Sequence, residues 1–497
     1  MVDQLAAQWL PAYGNSVVHA PALNALAAQS VVFDAGYCAS PLCAPSRAAM
    51  LCGRGPSAIG VFDNAAELPA SVPTFVHPLR TAGYRTCLAG KMHFVGPDQL
   101  HGFERRLTTD VYPASLDWTP DWTQPVTNRL RWYHSVHSVL EPARTVASMQ
   151  TDYDDEVAFH AVREVHDLAR AGGEDPFLLV VSFTNPHDPW EIPPRYWDLY
   201  DPASISGPSV GLLPFDEADP HSQRLRIMSG IDEVSLSDDD VRRARHGYYA
   251  AISYVDERIG SVLQALRATG LDSETIVVFT ADHGEFLGER GLWYKMSFLE
   301  PAARVPLFVK VPAGLAGPGP SPGRESTPVS LIDIAPTLLE LAGVAPAGLP
   351  VEGDALVGRP GRFHHGPVVC EYHAEGVNAP AAMIRDGRFK LIVCRKDPDQ
   401  LYDLASDPLE LSNLASVPSH ASTVGRLREA LAARLDLAAI ERRVLASQRE
   451  RHLVAAALNR GEVTPWDYGP YVDASKRYVR AREDLYDLQR AARLDSR

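Results

Sequence analysis

Paired cysteines, a membrane-length apolar run and a surplus of basic residues are all missing from this chain of 497 residues, and each absence closes off a class of function. The six cysteines, at 38, 43, 52, 87, 370 and 394, are too few for a disulfide scaffold. None forms the C-x-x-C pair that marks zinc ribbons and dithiol redox centres. No apolar run reaches the ~18 residues that span a bilayer, so no membrane partner is expected. The opening MVDQLAAQWLPAYG has neither a basic lead nor a continuous apolar stretch, so no secretory signal is expected and the cytoplasm is the expected compartment. Asp and Glu outnumber Lys and Arg by 62 to 47, a formal charge of −15, which argues against nucleic acid and mildly favours a neutral or cationic small molecule. No internal repeat is evident, and the length and the 45% hydrophobic content leave room for a sizeable core.

What is present is one form used several times: an apolar, β-rich run that stops abruptly on polar residues. YRTCLAGKMHFVG (84–96) carries Lys91 and His93 at its end, and PFLLVVSFTNPHDPW (176–190) carries Asn185, His187 and Asp188. TIVVFTADHGEFLG (275–288) ends with Asp282, His283 and Gly284. Continuous apolar runs suit strands buried on both faces. Helical patterns over 154–172 and 248–270 lie between them. The alternation predicts an α/β protein with a large, mostly parallel sheet sandwiched by helices. Ligands of such sheets bind beyond the carboxyl ends of the strands, where these polar clusters fall.

Later the pattern changes. Residues 311–328 are a Pro/Gly loop, DIAPTLLELAG (333–343) is a helix capped by Asp333, and residues 381–408 read as antiparallel hairpins. A helical stretch and an aromatic, charged tail follow. The expected division is a main α/β domain over 1–350, a smaller antiparallel-sheet subdomain over 351–440, and a helical and extended tail over 441–497.

Chemistry gathers first around Cys43, in YCASPLCAPSRAAMLCGR (37–54). Pro45 is a typical first helical residue and SRAAML continues as a good helix former, which places Cys43 at a helix N-terminus, where backbone N–H groups favour anions. Arg47 follows one turn along on the same face. A reactive side chain in an electropositive pocket suits sulfate or phosphate, although an ordinary buried thiol fits the same residues. Asp282 and His283 set a carboxylate beside an imidazole, and Asp3 offers another carboxylate from a neighbouring strand. Oxygen-rich donors suit Ca²⁺ or Mg²⁺, and the imidazole tilts the choice toward Mn²⁺; a strand-end turn is the plainer role for Asp282. Lys91 and His93 alternate along an extended segment and can face one side. With His187 and Lys295 at the same sheet edge, they can neutralise an oxyanion and move protons. Residues 110–134 gather Tyr112, Trp118, Trp122, Trp132 and Tyr133 with aspartates. Such a group suits a quaternary ammonium ion through cation–π attraction, and equally suits pinning a long insertion to the core.

LCAPSRAAMLCGR resembles the sulfatase signature, Cys-x-Pro-Ser-Arg followed by a Gly-Arg turn. GKMHFVG, NPHDPW, DHGEFLGERGLWYK, DIAPTLLELAG and RDGRFKLI…LYDL extend the resemblance, in the family's order, over nearly the whole chain. FDNAAE, GKMHFVGPDQLHGFERRLTTDVYP and the aromatic tail are similar in particular to the family's choline-sulfatase branch. The resemblance implies that a formylglycine-generating or sulfatase-maturing enzyme oxidises Cys43 to formylglycine, whose hydrate is the nucleophile. It implies one divalent cation, Ca²⁺ or Mn²⁺, held by Asp3, Asp282, His283 and the modified residue 43. Many relatives carry two adjacent acids where this chain has Gln4 after Asp3, which should weaken that binding. The resemblance also implies that Arg47, Lys91 and Lys295 stabilise sulfuryl oxygens, that His187 with Lys295 protonates the leaving oxygen, and that His93 is the base. A choline-O-sulfate substrate would meet Asn64, Trp118, His134 and Glu371. Asp484 of the tail would reach a neighbouring subunit's site in a homodimer or homotetramer.

Two other readings compete: an arylsulfatase or a phosphonate monoester or phosphodiester hydrolase of the alkaline-phosphatase superfamily, and a non-catalytic choline-binding protein should Cys43 stay unoxidised. Asp3 is also expected to end a buried strand of about five to six residues. Only Met1 and Val2 precede it, which suggests a start placed too late or a truncated chain.

Overall fold

A computed structural model describes residues 1–112, 115–130, 132–172, 175–312, 322–346, 348–357 and 366–462. The apolar runs form strands: β1 (Val31–Phe33), β2 (Arg85–Gly90), β3 (Arg105–Arg106), β4 (Phe177–Ser182), β5 (Val277–Thr280), β6 (Leu307–Lys310) and β7 (Gly323–Glu325). They make two half-sheets. One, ordered β3-β2-β4, is parallel throughout, with Arg85 opposite Phe177 and Gly90 opposite Ser182. The other, ordered β7-β1-β6-β5, is mixed: β6 runs antiparallel to both neighbours and β7 parallel to β1.

The N-terminus joins the halves. The amino group of Met1 donates to the Val181 carbonyl (2.7 Å), and the Phe183 N–H donates to the Met1 carbonyl (3.1 Å). On the other side the Val2 N–H donates to the Thr280 carbonyl (3.1 Å), and Val2 pairs in parallel with Ala281. Beside this bridge an apolar cavity of about 200 Å³ separates β4 from β5, lined by Phe177, Leu179, Val181, Val277 and Phe279 among others. Asp3, Lys91, Asn185 and Asp282 therefore all emerge at one end of the combined sheet.

Helices α1 (Cys43–Cys52), α2 (Met149–Arg170), α3 (Asp238–Thr269) and α4 (Ile334–Leu341) cover it. The longest, α3, has strong signals at both ends. Ser237 and Asp240 form a capping box, three aspartates fill the first turn, and Gly270 ends the helix at φ 78°. Its buried face includes Tyr248, Ile252, Val255, Ile259 and Leu266. α2 packs along α3, and α1 packs against the 331–341 segment.

Downstream, β8 (Val368–Tyr372), β9 (Ala381–Asp386), β10 (Phe389–Cys394) and β11 (Gln400–Asp403) form an antiparallel meander in sequence order. The helix α5 (Ala421–Ala432) packs Leu427 and Leu431 onto Leu391, Val393 and Leu401. The Glu371 N–H donates to the Ala39 carbonyl (2.9 Å), which ties this sheet to the segment leading into α1. A last described helix, α6 (Leu437–Leu458), follows. Among the described residues no helix is long and apolar enough to cross a membrane.

At the end of β2, Gly90 has φ 103°, and a Cβ there would stand 1.9 Å from the Ser182 carbonyl oxygen. Gly83 shares the left-handed backbone (φ 91°) with nothing within 4 Å of such a Cβ. Gly90→Ala is expected to cost at least ~3 kcal/mol and Gly83→Ala about 1 kcal/mol in urea unfolding. Equal losses would show that the close β2–β4 approach is not what requires glycine.

Candidate active site

Helix α1 starts at Cys43 rather than at Pro45, and its N-cap residue, Leu42, offers no capping side chain. Asn64 supplies the cap from elsewhere: its Oδ1 accepts the Ala44 N–H at 3.0 Å. Every residue of α1 is buried, Cys43 at 2% exposure. The Cys43 Sγ lies 3.1 Å from His283 Nε2 and 3.8 Å from both Asp3 Oδ1 and Lys91 Nζ. Burial pushes this thiol up, but Lys295, Lys91 and His283 outweigh it and hold the thiol well below the ordinary range. Burial pushes Cys52 and Cys87 up to about 12.

Asp3 and Asp282 are enclosed with it. Arg47 donates from Nε to Asp282 Oδ2 (2.7 Å), from Nη1 to the Lys91 carbonyl (2.5 Å) and to Ser182 Oγ (2.8 Å), and its Nη2 lies 3.4 Å from Asp3 Oδ2. The guanidinium is thus tied to two carboxylates, a carbonyl and a hydroxyl, and its Nη2 makes no hydrogen bond. Lys91 donates to Asp3 Oδ2, and its ammonium lies 4.1 Å from the centre of the Tyr112 ring. Burial lowers the Lys91 pKa, and Asp3 with Cys43 more than reverses this.

The ligand atoms of Asp3, Cys43, Asp282 and His283 lie within 4.8 Å of one another. His283 Nδ1 faces the Gly284 carbonyl (3.1 Å), while Nε2 lies 3.5 Å from Asp3 Oδ1 and 3.7 Å from Asp282 Oδ2. Two buried carboxylates and an oriented imidazole beside position 43 fit a divalent cation.

Gln4 has a reason to be neutral. Its Oε1 accepts from Lys295 Nζ (2.5 Å), and its Nε2 donates to Glu285 Oε2 (2.5 Å) and Asp188 Oδ1 (3.2 Å). An aspartate here would confront two carboxylates, one of which, Glu285, is already pushed up to about 7 by burial. Lys295 also donates to His187 Nε2 (2.8 Å), while His187 Nδ1 faces the Asp188 carbonyl (2.6 Å) and the Tyr112 hydroxyl (3.2 Å). His93 is buried with no partner on either ring nitrogen. Its backbone is left-handed (φ 57°), not extended as expected, and Asp110 holds it by accepting the His93 N–H at 2.8 Å. Gln4, Tyr294 and Met296 share that strained backbone beside Asp3 and Lys295.

Rings continue outward from these groups. Trp118 stacks on Trp132 (5.8 Å, 11°) and meets His93 at 5.7 Å; Tyr112 meets His187 at 5.5 Å; His134 stacks on Tyr294 at 4.5 Å. Burial first, and then Lys295, depresses the His134 imidazole well below its usual range. Trp122 serves packing, its Nε1 donating to the Ala374 carbonyl (2.9 Å). Glu371 accepts from His373 Nε2 (2.9 Å) and lines a separate cavity with Glu352, Asp354 and Arg443. A second buried carboxylate, which sequence reasoning missed, is Glu375. It is buried with Oε2 unpartnered, and burial, then Asp63, raises it to about 7 against the pull of Lys295. Asp110 and Glu285 were also missed; nothing in their local sequence sets them apart. Asp484 lies outside the described residues.

The sulfatase family model matches residues 1–344, a model described as N-sulphoglucosamine sulphohydrolase, C-terminal, matches 288–436, and one described as choline sulfatase enzyme C terminal matches 442–494. A choline-sulfatase of Rhizobium meliloti is 44% identical over 99% of this chain and 97% of its own. Arylsulfatase K of Danio rerio is 30% identical over 81% of this chain and 77% of its own. Among solved structures, the phosphonate monoester hydrolase of Silicibacter pomeroyi superposes with a TM-score of 0.69 at 24% identity, covering 87% of this chain and 94% of that one, a likeness of fold. The chain belongs to the sulfatase family. It is a hydrolase of the alkaline-phosphatase-like fold, and the family implies formylglycine and a divalent cation.

Asp282→Asn neutralises one candidate ligand and the ionic partner of Arg47. The folded variant is expected to lose bound divalent cation and at least about a hundredfold in turnover. Wild-type cation content, measured by plasma mass spectrometry, would remove Asp282 from the ligand set.

Proposed function

We propose that this protein is a choline-sulfatase, cleaving choline-O-sulfate to choline and inorganic sulfate. One observation carries the reading: the cationic surroundings of Cys43 and a wall of rings, with the buried Glu375 carboxylate whose Oε2 makes no hydrogen bond, meet at the same end of the sheet. The first suits a sulfuryl group, and the second suits a trimethylammonium group, which has no hydrogen to donate. The full-length relation to the Rhizobium enzyme and the match to the choline-sulfatase C-terminal model support it.

Formylglycine at position 43 supplies a hydroxyl nucleophile, and a divalent cation held by Asp3, Asp282, His283 and residue 43 supplies Lewis-acid charge. Lys91 and Lys295 neutralise sulfuryl oxygens, while Arg47 keeps the two carboxylates in place. The Lys295–His187 pair is the proton source for the choline oxygen, with the Asp188 carbonyl fixing the proton on His187 Nδ1. His93, free on both nitrogens, is the base. Trp118, backed by Trp132, receives the ammonium group together with His134 and Glu375, and Asn64 sets the start of α1.

On this reading residues 1–350 are the catalytic domain, 351–440 the smaller subdomain, and 441–497 an extension that brings Asp484 to a neighbouring site in a homo-oligomer. A formylglycine-generating enzyme is the maturation partner. All six cysteines are free, in keeping with a reducing cytoplasm.

Two measurements test this. Mass spectrometry of the peptide bearing position 43 is expected to find formylglycine, and unmodified cysteine in active enzyme would overturn the mechanism. Trp118→Ala is expected to lower kcat/KM for choline-O-sulfate roughly thirtyfold more than for an aryl sulfate, the equivalent of ~2 kcal/mol for a desolvated cation–π contact. Equal losses would take Trp118 out of the choline pocket, and preference for a phosphonate monoester over both sulfates would overturn the assignment.

A further inference from the structure

Helix α6 lies outside the catalytic sheet, yet one of its side chains reaches both parts of the site. Arg451 forms a two-pronged ion pair with Asp63, Nη1 to Oδ1 at 2.6 Å and Nη2 to Oδ2 at 2.7 Å, across 388 residues of sequence. Asp63 is fully buried and the Arg451 side chain is 11% exposed, so the pair is shielded from the screening that makes surface pairs weak. Asp63 also accepts the Ala65 N–H (2.9 Å), which folds residues 63–66 into a fixed turn. Asn64 within that turn caps Ala44, the residue after Cys43.

The same guanidinium donates to Thr119 Oγ1 (3.2 Å), next to Trp118. Around it, α6 and the residue that ends it grip that loop at three further points: Gln448 Oε1 accepts the Trp122 N–H (3.1 Å), His452 Nε2 faces the Pro120 carbonyl (3.2 Å), and Asn459, just past the helix, donates to Asp117 Oδ1 (2.7 Å). Ala455 packs with Leu116 and Val95.

We propose that Arg451 is a positioning residue that sets the helix start bearing residue 43 and the Trp118 loop at a fixed separation, so that α6 acts as a spacer between the sulfuryl and ammonium ends of the site. The proposal rests on the choline-sulfatase reading for its second limb only. An ester spanning both ends needs both limbs, whereas an aryl sulfate uses the first alone.

The test uses the full-length, matured enzyme with choline-O-sulfate and 4-nitrophenyl sulfate. Arg451→Met is expected to lower kcat about tenfold for both esters, through the loosened Asn64 cap, and to raise KM for choline-O-sulfate severalfold more than for the aryl ester. Asp63→Asn should lower kcat for both without the selective rise in KM. The double variant should have a kcat no lower than the worse single one. Arg451→Lys, which keeps the charge and loses the fork, should fall between Met and wild type. Changes below twofold in the Met variant would overturn the proposal. So would an equal fall in kcat at unchanged KM that merely tracks loss of folded protein, or strict additivity. Should wild type cleave only the aryl ester, the choline reading fails, while the Asn64 limb is still judged by kcat on that ester.

Discussion

Two carboxylates, Asp3 and Asp282, are enclosed together in a fully buried site, with ligand atoms within 4.8 Å of one another and of Cys43 and His283, and the rest of the structure depends on that constraint. Unit charges ~4 Å apart interact by about 4 kcal/mol at an effective dielectric near 20, while desolvating each ion costs several. Attraction alone does not secure such a cluster; fixed hydrogen-bond geometry does. Arg47 is placed by its position one turn into α1, its Nη1 is taken by the Lys91 carbonyl and Ser182, and its Nη2 makes no hydrogen bond but lies 3.4 Å from Asp3 Oδ2. Lys91 rests on Asp3, and burial is overcome there by charge in both partners: Asp3 is held low and Lys91 high.

The same constraint explains how the fold and the site are one object. Arg47 binds the ends of β2 and β4 and, through Asp282, the end of β5, so the charge cluster clamps two half-sheets that Met1 and Val2 also bridge. Gln4 extends the clamp to Lys295, Glu285 and Asp188 without adding charge. What the sequence presents as a missing acid is a neutral hinge between a cation and two acids.

How much of this was legible depended on distance along the chain. Cys43, Arg47, Asp282 and His283 could be read because their signals are local: a helix start, an i+4 partner, a strand that stops on polar residues. The antiparallel direction of β6 could not be read, since an apolar run such as Leu307–Lys310 looks alike in either direction. Nor could the burial of Glu375, which follows from the path the chain takes after β8, a path that the local sequence does not specify. His93 was expected on an extended segment because no glycine announces its left-handed backbone; Asp110, held by Arg106, imposes it instead. The Asp63–Arg451 pair spans too much sequence for any local pattern to announce it.

Burial of Cys43 also imposes an order in time. The walls around its sulfur come from Asp3, from Lys91 and from His283, which is synthesised 240 residues after it. At about 5–20 residues per second, roughly ten to fifty seconds separate the appearance of position 43 from that of its last wall. During that interval the cysteine lies on an unfinished chain, open to solvent and to any catalyst that recognises an extended Cys-x-Pro-Ser-Arg segment. Once α1 has docked and His283 has arrived, the side chain is closed to anything the size of a protein. On the proposed reading, oxidation at position 43 therefore competes with folding, and slower translation or slower closure of the sheet raises the fraction of finished molecules that carry it.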